Sequence, residues 1–180
     1  MEKELIQPVI PTLGKHIIVE LSGCEENLIN EISNVEQIML EAAKQANATI
    51  IKSVFHKFSP VGVSGVVVIS ESHLSIHTWP ELGYCAIDIY TCGTTTKPFK
   101  ACYYLAKKFK AKKIKATYIL RGIENKTKNF YTHKIKIIEG NIKTLKILPT
   151  KIKISKSLSQ NIKLKKNGKQ NKILTLVGGK

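Results

Sequence analysis

Between Gly62 and Gly93 the chain reads GVSGVVVISESHLSIHTWPELGYCAIDIYTCG, and no other stretch limits the fold as much. The apolar run Val66-Val67-Val68-Ile69 delivers a small polar cluster, Ser70-Glu71-Ser72-His73. A second histidine, His77, and Trp79-Pro80-Glu81 come next, and a further apolar run ends on Cys92-Gly93. Short apolar runs bounded by turn residues are the pattern of buried strands. A hydroxyl, an imidazole and a thiol therefore fall within 21 residues, each at the end of an expected strand. Strand ends beside turns are where rigid scaffolds usually present reactive groups.

The rest of the chain supplies partners for these strands. The β-branched run His16 to Leu21 predicts a first strand, followed by a short loop around Gly23-Cys24-Glu25-Glu26. Ser33-Asn34-Val35-Glu36 has the form of a capping box. Val35, Ile38, Met39, Ala42, Ala43 and Ala46 then recur at helical spacing, which predicts a helix ending near Asn47. Thr49 to Phe58 reads as a second strand, with a turn at Pro60 and Gly62. Val63 to Ser70, part of Leu74 to Thr78, and Tyr84 to Thr91 read as three more. Pro98 suits the first position of a second helix, whose apolar face is Phe99, Cys102, Tyr103, Ala106 and Phe109. A last strand covers Lys113 to Leu120. The order β-α-β-β-β-β-α-β predicts an α+β fold: a two-layer sandwich with a mostly antiparallel sheet and its helices on one face.

Charge separates the chain into two parts. The net charge is +16, yet residues 125–180 carry 15 lysines and one acid, Glu139, for +14. The preceding residues hold 14 basic side chains against 12 acids. Lysine alternates with isoleucine or leucine in this tail, a period of two that permits strands. High charge and few aromatics favour a loosely ordered appendage. Any nucleic-acid contact is expected through this tail alone. The N-terminus lacks a long apolar segment and no run reaches the 18 residues of a membrane span, so the expected location is cytoplasmic. Cys24, Cys85, Cys92 and Cys102 form no CxxC pair, and no disulfide framework is expected.

The central stretch resembles the prokaryotic S-adenosylmethionine decarboxylase proenzymes. The matching residues are Gly62-Val63-Ser64-Gly65, Glu71-Ser72-His73, Ile76-His77-Thr78-Trp79-Pro80-Glu81 and Thr91-Cys92-Gly93. The resemblance covers about residues 12–123, which sets 1–123 as the decarboxylase-like domain and 124–180 as a Lys-rich extension. It implies self-cleavage between Glu71 and Ser72. The Ser72 hydroxyl attacks the Glu71 carbonyl, the peptide becomes an ester, and loss of the Ser72 α-proton eliminates that ester. The dehydroalanine left at position 72 tautomerises to an imine, which water hydrolyses with loss of ammonia, giving a covalent pyruvoyl group. Decarboxylating an α-amino acid leaves a carbanion, and an imine to an electron-poor carbonyl can hold it.

The resemblance also implies roles residue by residue. Ser72 becomes the pyruvoyl group that forms a Schiff base with S-adenosylmethionine. His77 is the proton acceptor in processing, a task a neutral imidazole suits. Ser64 assists the acyl shift, and Cys92 is the proton donor in catalysis. Phe58 stacks on the adenine, and Glu81 holds the ribose hydroxyls with two acceptor oxygens. The product is decarboxylated S-adenosylmethionine, a donor of aminopropyl groups for spermidine.

Outside this resemblance each residue has a plainer reading. Ser72 would be a strand-end serine, His77 a hydrogen-bonded histidine, Phe58 core, and Glu81 a solvated turn residue. His73 receives no role. His73, His77 and Cys92 lack a fourth ligand at zinc spacing. Other readings are a pyruvoyl-dependent arginine or ornithine decarboxylase, and a polyanion-binding protein acting through the tail.

Spacing raises the question of subunits. Ser72 and His77 are five residues apart, an odd offset that puts them on opposite faces of an unbroken strand. Ser64 lies eight residues before Ser72, about 26 Å along an extended strand. A homodimer with shared sites relieves both problems, with Glu71, Ser72 and Cys92 from one chain and Phe58, Ser64, His77 and Glu81 from its partner; the plainer alternative is a dimer with self-contained sites. The resemblance agrees, since it implies dimers with active sites at or near the subunit interface.

Overall fold

A computed structural model of the chain describes residues 12–125, 127 and 130–140. Seven strands form one antiparallel sheet: β1 (Gly14–Ser22), β2 (Ile50–Lys57), β3 (Val63–Ile69), β4 (Ser72–Trp79), β5 (Tyr84–Cys92), β6 (Lys113–Asn125) and β7 (Phe130–Gly140). Their order across the sheet is β2-β3-β4-β5-β1-β6-β7. The helices are α1 (Glu26–Asn30), α2 (Ile32–Gln45) and α3 (Pro98–Lys108). α2 packs on β2 and β3, and α3 packs on β1 and β5, so one face of the sheet is covered. This is the expected two-layer α+β sandwich.

The core lies between these layers, because alternate residues of each central strand point to the helices. Ile17, Val19 and Leu21 of β1, Leu74 and Ile76 of β4, and Ile87 and Ile89 of β5 are buried there. Val35, Met39 and Ala42 of α2 and Ala101, Cys102 and Leu105 of α3 close it from above. The intervening strand residues, among them Ser64, His73, Ser75, His77, Asp88 and Tyr90, line the opposite, uncovered face.

Two local expectations are corrected. Ser33 does not cap the long helix, which begins at Ile32 after the extended residue Glu31. Glu36, expected to complete the capping box, instead accepts a hydrogen bond from the Ser53 hydroxyl of β2 at 2.6 Å. The stretch read as loop also contains α1, pinned by the buried Ile29. Within the Lys-rich extension, residues 130–140 pair with β6 as an edge strand. The alternation there is strand-like, and a formed β6 gives it a template. The later lysine-isoleucine repeats lie outside the described residues.

Candidate active site

β3 and β4 reverse direction through Ser70 and Glu71, and the last rung of the hairpin is Ile69 opposite Ser72. Ser72 has φ of 145°, a conformation that side-chain-bearing residues rarely adopt and that stores backbone strain. The turn is tied down on both sides. The Cys92 N–H donates to the Glu71 carbonyl at 2.8 Å. The Ser70 N–H donates to the Thr49 carbonyl at 2.9 Å, and the Thr49 N–H donates to the Glu71 carboxylate at 3.1 Å. Cys92 ends β5, exposed, one residue past Thr91, which stands directly opposite Ser72.

The Ser72 hydroxyl lies 3.2 Å from His73 Nδ1. Burial holds the His73 imidazole below its ordinary pKa, helped by the neighbouring His16 and Arg121 and opposed by Asp88. The surroundings come from three strands. His73 packs edge-on to Tyr90, with ring centroids 6.0 Å apart, and the Arg121 guanidinium sits 4.7 Å over the same ring. His16 Nε2 meets Asp88 Oδ1 at 3.0 Å, and that hydrogen bond holds the Asp88 carboxyl below the usual carboxylate range.

The other end of the hairpin carries a second group. Ser64 stands directly opposite His77, and its Oγ is 2.7 Å from His77 Nδ1. Trp79 and Tyr84 continue the cluster, and the Tyr84 hydroxyl donates to Glu20. Phe58 follows β2 at this end, exposed and edge-on to His56 at 4.8 Å between centroids. Glu81 lies in the short 3-10 turn Pro80–Leu82 after β4, exposed, and Gly83 closes that turn at a φ of 57°.

One chain therefore gathers Glu71, Ser72 and Cys92 at one end of the hairpin, and Phe58, Ser64, His77 and Glu81 at the other. Five strand steps separate Ser72 from His77, which is about 16–17 Å. The hairpin changes the earlier estimate for Ser64: the chain folds back between Ile69 and Ser72, so 26 Å along an unbroken strand does not apply. Strict alternation also fails at Ser72, whose positive φ places its hydroxyl against the neighbouring His73. Sequence reasoning assigns His73 no role, and its contact with the Ser72 hydroxyl singles it out. A cavity of about 890 Å³ beside α3, lined by Lys15, Phe99, Tyr103 and Tyr118 among others, holds none of these residues. Among the described residues no three His, Cys, Asp or Glu side chains converge to hold a metal.

The family model described as S-adenosylmethionine decarboxylase matches residues 15–122. A proenzyme of that name from Moorella thermoacetica is 58% identical over 111 residues, covering 62% of this chain and 89% of that protein. One from Pelotomaculum thermopropionicum is 56% identical over 111 residues, with 62% and 88% covered. The crystal structure of the adenosylmethionine decarboxylase from Aquifex aeolicus superposes with a TM-score of 0.60 at 38% identity, over 66% of this chain and 98% of that one. An antiparallel sheet backed by helices is the frame that the solved structure shares with this chain. The chain belongs to the S-adenosylmethionine decarboxylase family, in its prokaryotic proenzyme form.

Proposed function

We propose that this protein cleaves itself between Glu71 and Ser72 and then decarboxylates S-adenosylmethionine. The observation that carries this reading is the scissile turn. Ser72 is strained, the carbonyl it must attack is polarised by the Cys92 N–H at 2.8 Å, and Thr49 grips the turn from the other side. A fixed donor on a carbonyl stabilises the oxyanion that forms on attack. The ester is then eliminated once a base takes the Ser72 α-proton.

Position 72 also fits the pyruvoyl group that elimination and ammonia loss would leave. Thr91, opposite Ser72, has a fully buried hydroxyl with no partner among the described residues, a donor ready for a new carbonyl oxygen. The group supplies an electron sink for the carbanion left when CO2 departs. This chain's residues do the rest. Cys92 holds a proton at Sγ beside position 72 for delivery to the substrate. Phe58 offers a ring face for the adenine, and Glu81 offers two acceptor oxygens for the ribose diol. An exposed Phe58 favours a nucleoside substrate over arginine or ornithine.

The site is completed by a second copy. Ser64 and His77 lie about 16–17 Å from Ser72 within one chain, far outside the roughly 2.6–3.2 Å needed for proton transfer. A two-fold pairing of uncovered sheet faces would bring Ser72 of one chain to Ser64 and His77 of its partner. The catalytic unit is then a homodimer built from residues up to about 123, with the Lys-rich extension outside it. Polyanion binding would rest on the Lys-rich extension from residue 124 onward, of which residues 141–180 lie outside the described residues. No described helix is long and apolar enough to cross a membrane.

The test is intact mass of the purified protein. Two fragments divided at 71/72 are expected, the larger without a free α-amine, and Ser72→Ala should leave one full-length chain. A Ser72→Ala chain still cut between 71 and 72 refutes the scheme.

A further inference from the structure

The self-processing reading leaves one proton without a carrier. Attack of the Ser72 Oγ on the Glu71 carbonyl releases a hydroxyl proton, and breaking the peptide C–N bond requires a proton on the Ser72 nitrogen. His77 is about 16–17 Å away along β4, and in the shared site it takes the α-proton in the later elimination. The imidazole in contact with the reacting hydroxyl is that of His73, with Nδ1 at 3.2 Å.

We propose that His73 is the general base and acid of the first processing step, carrying the hydroxyl proton of Ser72 to the Ser72 nitrogen. This inference rests on the self-processing reading above. The step balances. The O–H proton passes to Nδ1 while the Oγ–C bond forms and negative charge gathers on the Glu71 oxygen, which the Cys92 N–H holds. When the C–N bond breaks, Nδ1 returns the proton to the departing nitrogen. The peptide becomes an ester, and nothing is gained or lost. One nitrogen suffices because both atoms it serves belong to residue 72.

The environment keeps His73 ready for this work. Its imidazole must be neutral to accept a proton, and burial with His16 and Arg121 nearby disfavours the charged form. The groups facing it are His16 on β1, Asp88 and Tyr90 on β5, and Arg121 on β6. Tyr90, itself wedged between His16 and Arg121, packs against the His73 ring and fixes its plane. His73 acts before elimination and His77 after the ester exists, so their variants should stall at different species.

Hydroxylamine separates the two steps, because it cuts esters and leaves amides intact. Full-length precursor is followed from synthesis, and each time point is split with and without hydroxylamine before denaturing electrophoresis. His77→Ala should accumulate a chain that hydroxylamine cuts at 71/72. Adding His73→Gln to that background should slow appearance of this ester by about 100-fold or more, within the range removed with a general acid–base. With His73→Ala in the same background, free imidazole should restore ester formation, which a merely structural role would not allow. In His77→Ala alone, the ester-forming rate should fall only below the ordinary imidazole range near pH 6.5, because His73 is held neutral there.

If wild type is never cut at 71/72, the self-processing reading fails and takes this inference with it. If wild type is cut but His73→Gln forms ester at the parental rate, the inference alone is overturned. A folded His73→Ala chain that stays slow in imidazole overturns it too, as does a flat acid limb in His77→Ala, which needs no change at position 73.

Discussion

Co-expression of Ser72→Ala with His77→Ala tests the shared site most directly. Each variant alone should be uncut, the first for want of a nucleophile and the second for want of a base. Within one chain these residues sit five steps apart on β4, about 16–17 Å, against a proton-transfer reach of about 3 Å. No loop motion closes that gap, since β4 is held by β3 on one side and β5 on the other. Folding it back would break ladder hydrogen bonds worth about 0.5–1.5 kcal/mol each, with buried Leu74 and Ile76 exposed as well. In a mixed dimer one site joins Ser72 of the His77→Ala chain to His77 of the Ser72→Ala chain, while the other site has both defects. Random pairing makes about half of the dimers mixed, so about a quarter of all chains should be cut. The cut chains should all carry His77→Ala, which mass spectrometry reads directly from the fragment beginning at position 72. The same material should release CO2 from S-adenosylmethionine. Mixed dimers isolated with two affinity tags that contain no cut chain would refute the reasoning.

Cys92→Ala should separate processing from turnover: the backbone N–H on Glu71 persists, so the chain is still cut, while decarboxylation falls by about 100-fold or more. Release of CO2 at a near wild-type rate removes Cys92 from the mechanism. Gly65→Ala should destabilise the precursor by about 1–3 kcal/mol, since an added Cβ would lie 1.9 Å from the Phe55 ring that crosses it from β2. Chemical denaturation reads this, and pairing it with Phe55→Ala should recover part of the loss. A chain ending at residue 124 should still process and turn over, because the family match ends at Gly122 and the proposed site residues precede it. That chain loses β7 and leaves β6 as an edge. A soluble, folded but uncut product would place β7 within the functional fold.

The sheet was legible because its signals are local. β-Branched runs marked the strands, a 3.6-residue period marked α2 and α3, and Pro98 marked the start of α3. What stayed hidden depends on pairing. The hairpin turn is Ser70-Glu71, with none of the Asn-Gly or Asp-Gly chemistry that announces a two-residue reversal. Sequence alone therefore places the turn too late and does not reveal Ser64 and His77 as neighbours. Glu36 misled for the same reason, since its Ser53 partner lies 17 residues away. His73 was beyond sequence reasoning altogether: its role follows from a backbone distortion at Ser72 that composition does not encode.

The same topology decides what becomes of the two pieces after the cut. Residues 1–71 supply β1, β2 and β3 with α1 and α2, while residues from 72 onward supply β4 to β7 with α3. A simple split would leave two half-sheets meeting along β3 and β4. The observed order instead threads β1 between β5 and β6, so the first fragment is inserted into the second. Separation must break three ladders, β3–β4, β5–β1 and β1–β6, and must also strip α2 from α3. It would expose Ile17, Val19 and Leu21, all buried, at about 1.5–3 kcal/mol for each side chain. Loss of one covalent link at a hairpin end removes none of these contacts. The fragments should thus remain one particle after complete processing, seen as a single mass in native spectrometry and as two chains only after denaturation. They should also unfold together, in one transition reported equally by a probe on β1 and a probe on β4. Fragments that part in native buffer, without denaturant, would show that β1 is not held between β5 and β6 in the processed protein.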